Sequence, residues 1–241
     1  MQYFGGKHRI SRKLSIFLNS QLEENQSFVD LFCGSCNIVS KIDADRLRIA
    51  NDKHKYLISM WKHFQEGGDF PSKITREDYY RIKGDDSEEW LHGFVGFGMS
   101  FGGKWWGGFT GEVSKNGQDY LQCAIKGVEK KLLGMVEVEF SNEDYSSVVI
   151  PDNSLIYCDI PYKGTTQYCK NEVGTFNHNQ FYGWCKEKEA EGHKVLISEY
   201  LENVPEDAEV IWAVSSGTTN AAWMGSAKKT TEVVYRFTKE R

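Results

Sequence analysis

A chain of 241 residues, 40% apolar and 14% aromatic, can bury a full core and has the size of one α/β domain with room for a small inserted lobe. It carries no N-terminal apolar run and no span approaching about 18 apolar residues, which argues against secretion and membrane spanning, and its cysteines form no disulfide-like framework, as expected in the cytoplasm. The net charge of −5 argues against a general coat for polyanions, yet the charge is uneven. Lys7, Arg9, Arg12 and Lys13 open the chain without an acid in residues 1–20, whereas residues 136–159 hold acids and no Lys or Arg.

The first element is a helical pattern through Leu14, Phe17, Leu18 and Leu22, preceded by Tyr3-Phe-Gly-Gly-Lys7. The glycine pair lets backbone amides approach a ligand, and Lys7 can meet an anion there, although a plain turn explains the pair as well. Next, Phe28-Val-Asp-Leu-Phe-Cys-Gly-Ser-Cys-Asn37 reads as an apolar strand, a small-residue turn and then a helix bearing Ile38, Val39 and Ile42. The following strand, Arg46 to Ala50, ends in Asn51-Asp52, about 20 residues after the turn, where a ribose diol is usually held. In this order the features favour an adenosine-containing cofactor. Cys33 and Cys36 form a CxxC without a second pair or nearby histidines, so packed thiols are expected rather than zinc or dithiol chemistry.

Residues 53–66 form an amphipathic pattern, after which strand–helix alternation stops for some 70 residues, too long for a loop. Helical patterns at 75–83, 87–101 and 117–133 flank Ser100-Phe-Gly-Gly-Lys-Trp-Trp-Gly-Gly-Phe109. This stretch suits base stacking or wedging into a duplex, and equally a glycine-jointed packing loop. Alternation resumes at Val136–Phe140, then Asn142-Glu-Asp-Tyr145, then a buried strand Leu155–Cys158 that stops at Asp159-Ile160-Pro161-Tyr162. Proline ends the ladder, leaving a carboxylate, a carbonyl and an aromatic ring at a sheet edge where ligands bind. Asn177 with Gln180 resembles a capping box, and strands at 194–198, 209–214 and 232–237 complete the sheet.

In this order the motifs resemble those of the DNA adenine-N6 methyltransferases of the Dam-like, phage-type group. Tyr3-Phe-Gly-Gly-Lys7 is similar to that family's N-terminal motif, Phe28 to Gly34 to its glycine turn, and Asn142 to Tyr145 to its adenine-side stretch. Asp159-Ile-Pro-Tyr162 corresponds to its Asp-Pro-Pro-Tyr, and Lys194 to Tyr200 to its following strand. The chain departs at Ile160, where a proline is usual, and at Cys36, where a second glycine is usual; a cysteine there calls for a conformation compatible with a side chain.

The resemblance implies a Rossmann-like seven-stranded sheet of the S-adenosylmethionine-dependent kind, formed by residues 1–66 and 134–241, with a mainly helical target-recognition lobe at 67–133. It implies methyl transfer from S-adenosylmethionine to adenine N6 in double-stranded DNA, with the base flipped out and no metal required. Asp159, Ile160, Pro161 and Tyr162 are the expected catalytic turn. Tyr3, Lys7, Phe32, Gly34, Asp52, Asp144, Tyr145 and Asp159 are the expected cofactor site. Lys104, Trp105, Trp106, Arg76, Arg81, Lys163, Lys228 and Lys229 are the expected DNA contacts. A cytosine-N4 methyltransferase remains open, since the same carboxylate and carbonyl serve any planar amine, as does a non-catalytic DNA-binding relative.

Overall fold

The computed structural model describes residues 3, 5–165, 173–217 and 229–238. Seven strands form one sheet in the order β3-β2-β1-β4-β5-β7-β6. They are β1 (Ser27–Asp30), β2 (Arg48–Asn51), β3 (Val138–Ser141), β4 (Ser154–Cys158), β5 (Lys194–Tyr200), β6 (Ala208–Gly217) and β7 (Lys229–Phe237). The first five pair in parallel, while β7 runs antiparallel to both β5 and β6. Six helices are described: α1 (Ser11–Gln21), α2 (Lys55–Gln65), α3 (Arg76–Lys83), α4 (Glu89–Gly98), α5 (Tyr120–Leu132) and α6 (His178–Ala190). This is an α/β architecture of the Rossmann-like methyltransferase kind.

Side chains on the central strands alternate between two buried faces. Phe28, Leu155, Tyr157 and Leu196 enter one apolar cluster; Val29, Ile156, Cys158, Val195 and Ile197 enter the other. A strand buried on both sides reads as a continuous apolar run, which is why Leu155–Cys158 was conspicuous in the sequence. Helix α6 covers the second face through Phe181, Trp184 and Cys185. On the first face α1 and α2 share their core with Tyr79, Phe94 and Phe97 of the inserted stretch. Helices α2 and α4 approach so closely that a Cβ on Gly93 would lie 2.1 Å from the Tyr56 carbonyl oxygen. The stretch 67–133 therefore has no core of its own but extends that of the first face.

The way out of this stretch is fastened by Arg48, a fully buried cation on β2. Its guanidinium donates to the carbonyls of Ile42 at 3.2 Å, Gly134 at 2.7 Å and Val136. Gln65 adds bonds to the carbonyls of Met135 and Val138.

One expected element is different. The helix anticipated after the glycine turn is a single 3-10 turn, Val39–Lys41. Cys36 there has φ of +53°, a left-handed conformation that breaks a helical run, and Ile38, Val39 and Ile42 are β-branched and poor helix formers. Cys36 thus adopts the glycine-like conformation itself, at a strain of roughly 1–2 kcal/mol, rather than one congenial to its side chain.

Candidate active site

The order of strands reverses between β1 and β4, and the carboxyl ends at such a switch point are where open α/β sheets bind ligands. Leu31 donates its amide to the Tyr157 carbonyl and Cys33 to the Asn51 carbonyl, which carries the chain from β1 across the sheet edge. Gly34 follows with φ of +47°. The ring of Tyr3 lies on it, so that a Cβ would sit 3.2 Å from the ring, a tight fit on top of the left-handed backbone that glycine adopts without strain. Trp61 donates its indole N–H to the Gly34 carbonyl at 3.0 Å.

Asn51 and Asp52, adjacent in sequence, do different work. Asn51 is a staple: its amide donates to the carbonyls of Leu31 and Glu143 and accepts from the Glu143 amide. Asp52 faces the turn, its carboxylate accepting from the Gly34 amide at 2.8 Å and the His54 amide at 2.9 Å. Burial pushes its carboxyl up to about 6 despite these two bonds. Phe32 and Tyr145 approach each other with ring centroids 6.1 Å apart and both meet Phe181. Asp144 lies further out, paired with Lys53 at 2.8 Å and bonded to Ser146.

The turn after β4 meets this wall from the other side. The Asp159 carboxylate is 2.6 Å from the Lys7 ammonium, which also lies 4.4 Å above the Tyr162 ring. Burial raises the Asp159 carboxyl above the usual range, more than the neighbouring ammonium lowers it. Lys7 is buried yet held protonated by Asp159, Tyr157 and Glu232. Ile160, 2% exposed, points into the second apolar cluster, so the residue that replaces a proline anchors the turn from beneath. His178 donates Nε2–H to the Pro161 carbonyl at 2.8 Å, and Tyr162 packs edge-on against Tyr200 at 4.7 Å.

Three participants were not foreseen as site residues. Asp30, at the end of β1, is buried, and the carboxylates of Asp159 and Asp52 add to burial in pushing its carboxyl well above the usual range. Its strand is visible in the sequence, but no spacing rule singles it out. His178 was passed over as part of a helix start. Glu199 was noted only as a strand end. Its carboxylate is fully buried, with Oε2 accepting from the Lys163 amide at 2.9 Å and Oε1 from the Tyr200 amide and the Asn203 side chain. Asn203 also bonds the Lys163 carbonyl, so the chain just beyond Tyr162 is clamped. Glu199→Gln should cost about 1–3 kcal/mol in urea denaturation, because its amide NH2 would face a backbone donor. Single-turnover transfer should slow in parallel.

The expected DNA contacts fall into distinct settings. The ring of Trp105 packs among His54, Tyr56 and Phe97, and Trp106 donates its indole N–H to His92 at 3.1 Å. Both indoles serve the packing side of the two readings, while Phe101 of the same stretch is 71% exposed. Lys104 is half-buried. Arg76 lies over the Phe109 ring, Arg81 pairs with Asp78 on the surface, and Lys163 lies over the Tyr182 ring. Lys228 lies outside the described residues. Lys229 begins β7, and its side chain is likewise outside them.

No helix among the described residues is long and apolar enough to cross a membrane, and no group of three or more His, Cys, Asp or Glu side chains among them is placed to hold a metal ion. Residues 3–92 match the family model described as D12 class N6 adenine-specific DNA methyltransferase. No curated protein matches the chain. The matched stretch contains Tyr3, Lys7, Phe32, Gly34 and Asp52 and stops before the turn at Asp159. Joined to the seven-stranded Rossmann-like sheet, the match supports an enzyme that methylates adenine in DNA, an adenine-N6 methyltransferase of the Dam-like type.

Proposed function

We propose that the chain transfers a methyl group from S-adenosylmethionine to the N6 amino group of an adenine flipped out of a short site in double-stranded DNA, and that it does so in the cytoplasm. The observation that carries this reading is that Asp159 and Ile160 follow β4 directly while the glycine turn follows β1, on adjacent parallel strand ends of one sheet edge.

The donor fits the residues present. Asp52 and Asp159 set acidic side chains at the ends of β2 and β4, with Asp30 buried at the end of β1 between them, an environment suited to a cationic ligand. Asp52 would accept from a ribose diol, Gly34 would admit the chain of the ligand close to the backbone, and Phe32 and Tyr145 would flank its adenine, with Asp144 at the rim. S-adenosylmethionine supplies a methyl group already activated by its sulfonium.

The protein's share is positioning. The target amine is a weak nucleophile because its lone pair is delocalised into the ring. By accepting its two N–H bonds, Asp159 and the Ile160 carbonyl turn that lone pair outward, and Tyr162 offers a face for the extruded base. The Ile160 carbonyl meets no donor among the described residues, whereas that of Pro161 is taken by His178. The stretch 67–133 would read the site, with Lys104 and the exposed ring of Phe101 toward the duplex and Arg76, Arg81 and Lys163 toward phosphates. Flipping costs about a few kcal/mol, recovered through such contacts.

The reading is tested by incubating the purified protein with duplex DNA and S-adenosylmethionine and resolving the nucleosides by mass. N6-methyladenine is the expected product. N4-methylcytosine would move the reading to cytosine, and an unmodified duplex together with no calorimetric donor binding would mark a non-catalytic relative. Asp52→Ala should weaken donor binding about tenfold to a hundredfold, the loss of a charge-assisted bond. In the unsubstituted protein, affinity should fall as pH drops through about 6, where Asp52 takes up its proton and ceases to be a full acceptor. Calorimetry on either side of that pH reads both.

A further inference from the structure

Lys7 touches a second carboxylate besides Asp159. Its ammonium lies 3.5 Å from Glu232, a half-buried residue on β7. The topology explains why Glu232 is there. Because β7 runs antiparallel to β5, its early residues arrive at the carboxyl edge of the parallel strands, and Glu232 is paired with Tyr200 at the end of β5. No motif of the sequence singles this residue out.

An ion pair between Lys7 and Asp159 alone poses a difficulty. At 2.6 Å the ammonium takes Oδ1 of Asp159 and draws charge from the carboxylate that a target amine needs, and the pair as a whole is neutral. A second carboxylate changes both facts. It gives the ammonium an alternative partner, so Asp159 can release a hydrogen bond without leaving a buried cation unpaired. It also makes the trio net negative, complementary to the positive charge that grows on N6 as the methyl group arrives. We propose that Glu232 is a positioning residue that shares Lys7 with Asp159, freeing the Asp159 carboxylate to hold the target amine. This rests on the reading of Asp159 as the amine's acceptor.

The groups facing Asp159 are Lys7 from the N-terminal loop, Tyr157 from β4, Glu232 from β7, Asp30 from β1 and Tyr162 from its own turn. Glu232 raises the carboxyl of Asp159, so its neutralisation should move the acid limb of the rate toward lower pH. A residue that merely held the fold would not move that limb.

The test is single-turnover transfer to a duplex already shown to be a substrate, measured across pH for the unsubstituted protein, Glu232→Gln, Lys7→Met and the double variant. Glu232→Gln should slow transfer about tenfold to a hundredfold at the plateau, shift the acid limb downward and leave calorimetric donor binding unchanged. In the Lys7→Met background it should add no further loss. An unchanged rate and limb, an equal loss in both backgrounds, or a loss of donor binding with the rate would each overturn the proposal. An unsubstituted protein that methylates DNA with Asp159→Ala equally active would instead overturn the reading of Asp159, and this inference with it.

Discussion

Asp159→Ala should reduce methyl transfer to duplex DNA by about a thousandfold or more while leaving donor binding measurable, as read by tritium transfer and calorimetry side by side. On the proposed reading the carboxylate supplies one of the two acceptors that turn the amine's lone pair outward. Asp159→Asn is the sharper form of the test. It keeps the size, but its amide NH2 would face either the Lys7 ammonium or the incoming amine, donor against donor. It should therefore fail nearly as badly as alanine. In the unsubstituted protein the rate should fall as pH is lowered, because burial lifts the Asp159 carboxyl above the ordinary range and protonation removes the acceptor. Undiminished turnover in either variant would remove Asp159 from the chemistry.

Arg48→Met should destabilise the fold by about 3 kcal/mol, measured by urea denaturation. The substitution retains an apolar stem of similar length but leaves the carbonyls of Ile42, Gly134 and Val136 without the guanidinium. These carbonyls come from the turn region after β1 and from the return of the inserted stretch to the sheet, so the loss falls on the join between them. Arg48→Lys should recover only part of it, since a single ammonium cannot span the acceptors met by a planar fork. A change below about 0.5 kcal/mol, the usual effect of a surface substitution, would show that the join is held otherwise.

The sheet was largely legible because burial on one or both faces imposes a pattern on neighbouring residues. The runs at Phe28, Leu155 and Val195 announce strands whose side chains enter opposite clusters. The turn at Asp159 was legible because a proline fixes where a ladder stops. What stayed hidden depends on contacts between distant residues, which leave no period behind. Nothing near Glu199 says that its carboxylate will collect the Lys163 amide, and nothing near Lys7 points to β7. Asp52 was marked in the sequence by its offset from the glycine turn, whereas the stapling of Leu31 to Glu143 by its neighbour Asn51 shows only in the fold. The 3-10 turn after Gly34 was misread as a helix because three apolar residues at suitable spacing outweighed their β-branching. The tryptophan pair was evenly balanced in the sequence, and the Trp105 ring lies inward because Gly96 leaves the space, a Cβ there standing 2.4 Å from it.

The isoleucine at position 160 has a consequence for how this turn can fail. A pyrrolidine ring constrains its backbone angle whatever surrounds it, whereas a branched aliphatic side chain does so only through its neighbours. Ile160 belongs to the buried cluster that also holds Phe181, Val195 and Ile197. The stiffness of this loop is thereby delegated to the hydrophobic interior beneath it, and on the proposed reading conservative trimming of that interior gains a leverage over turnover that a diproline turn would withhold.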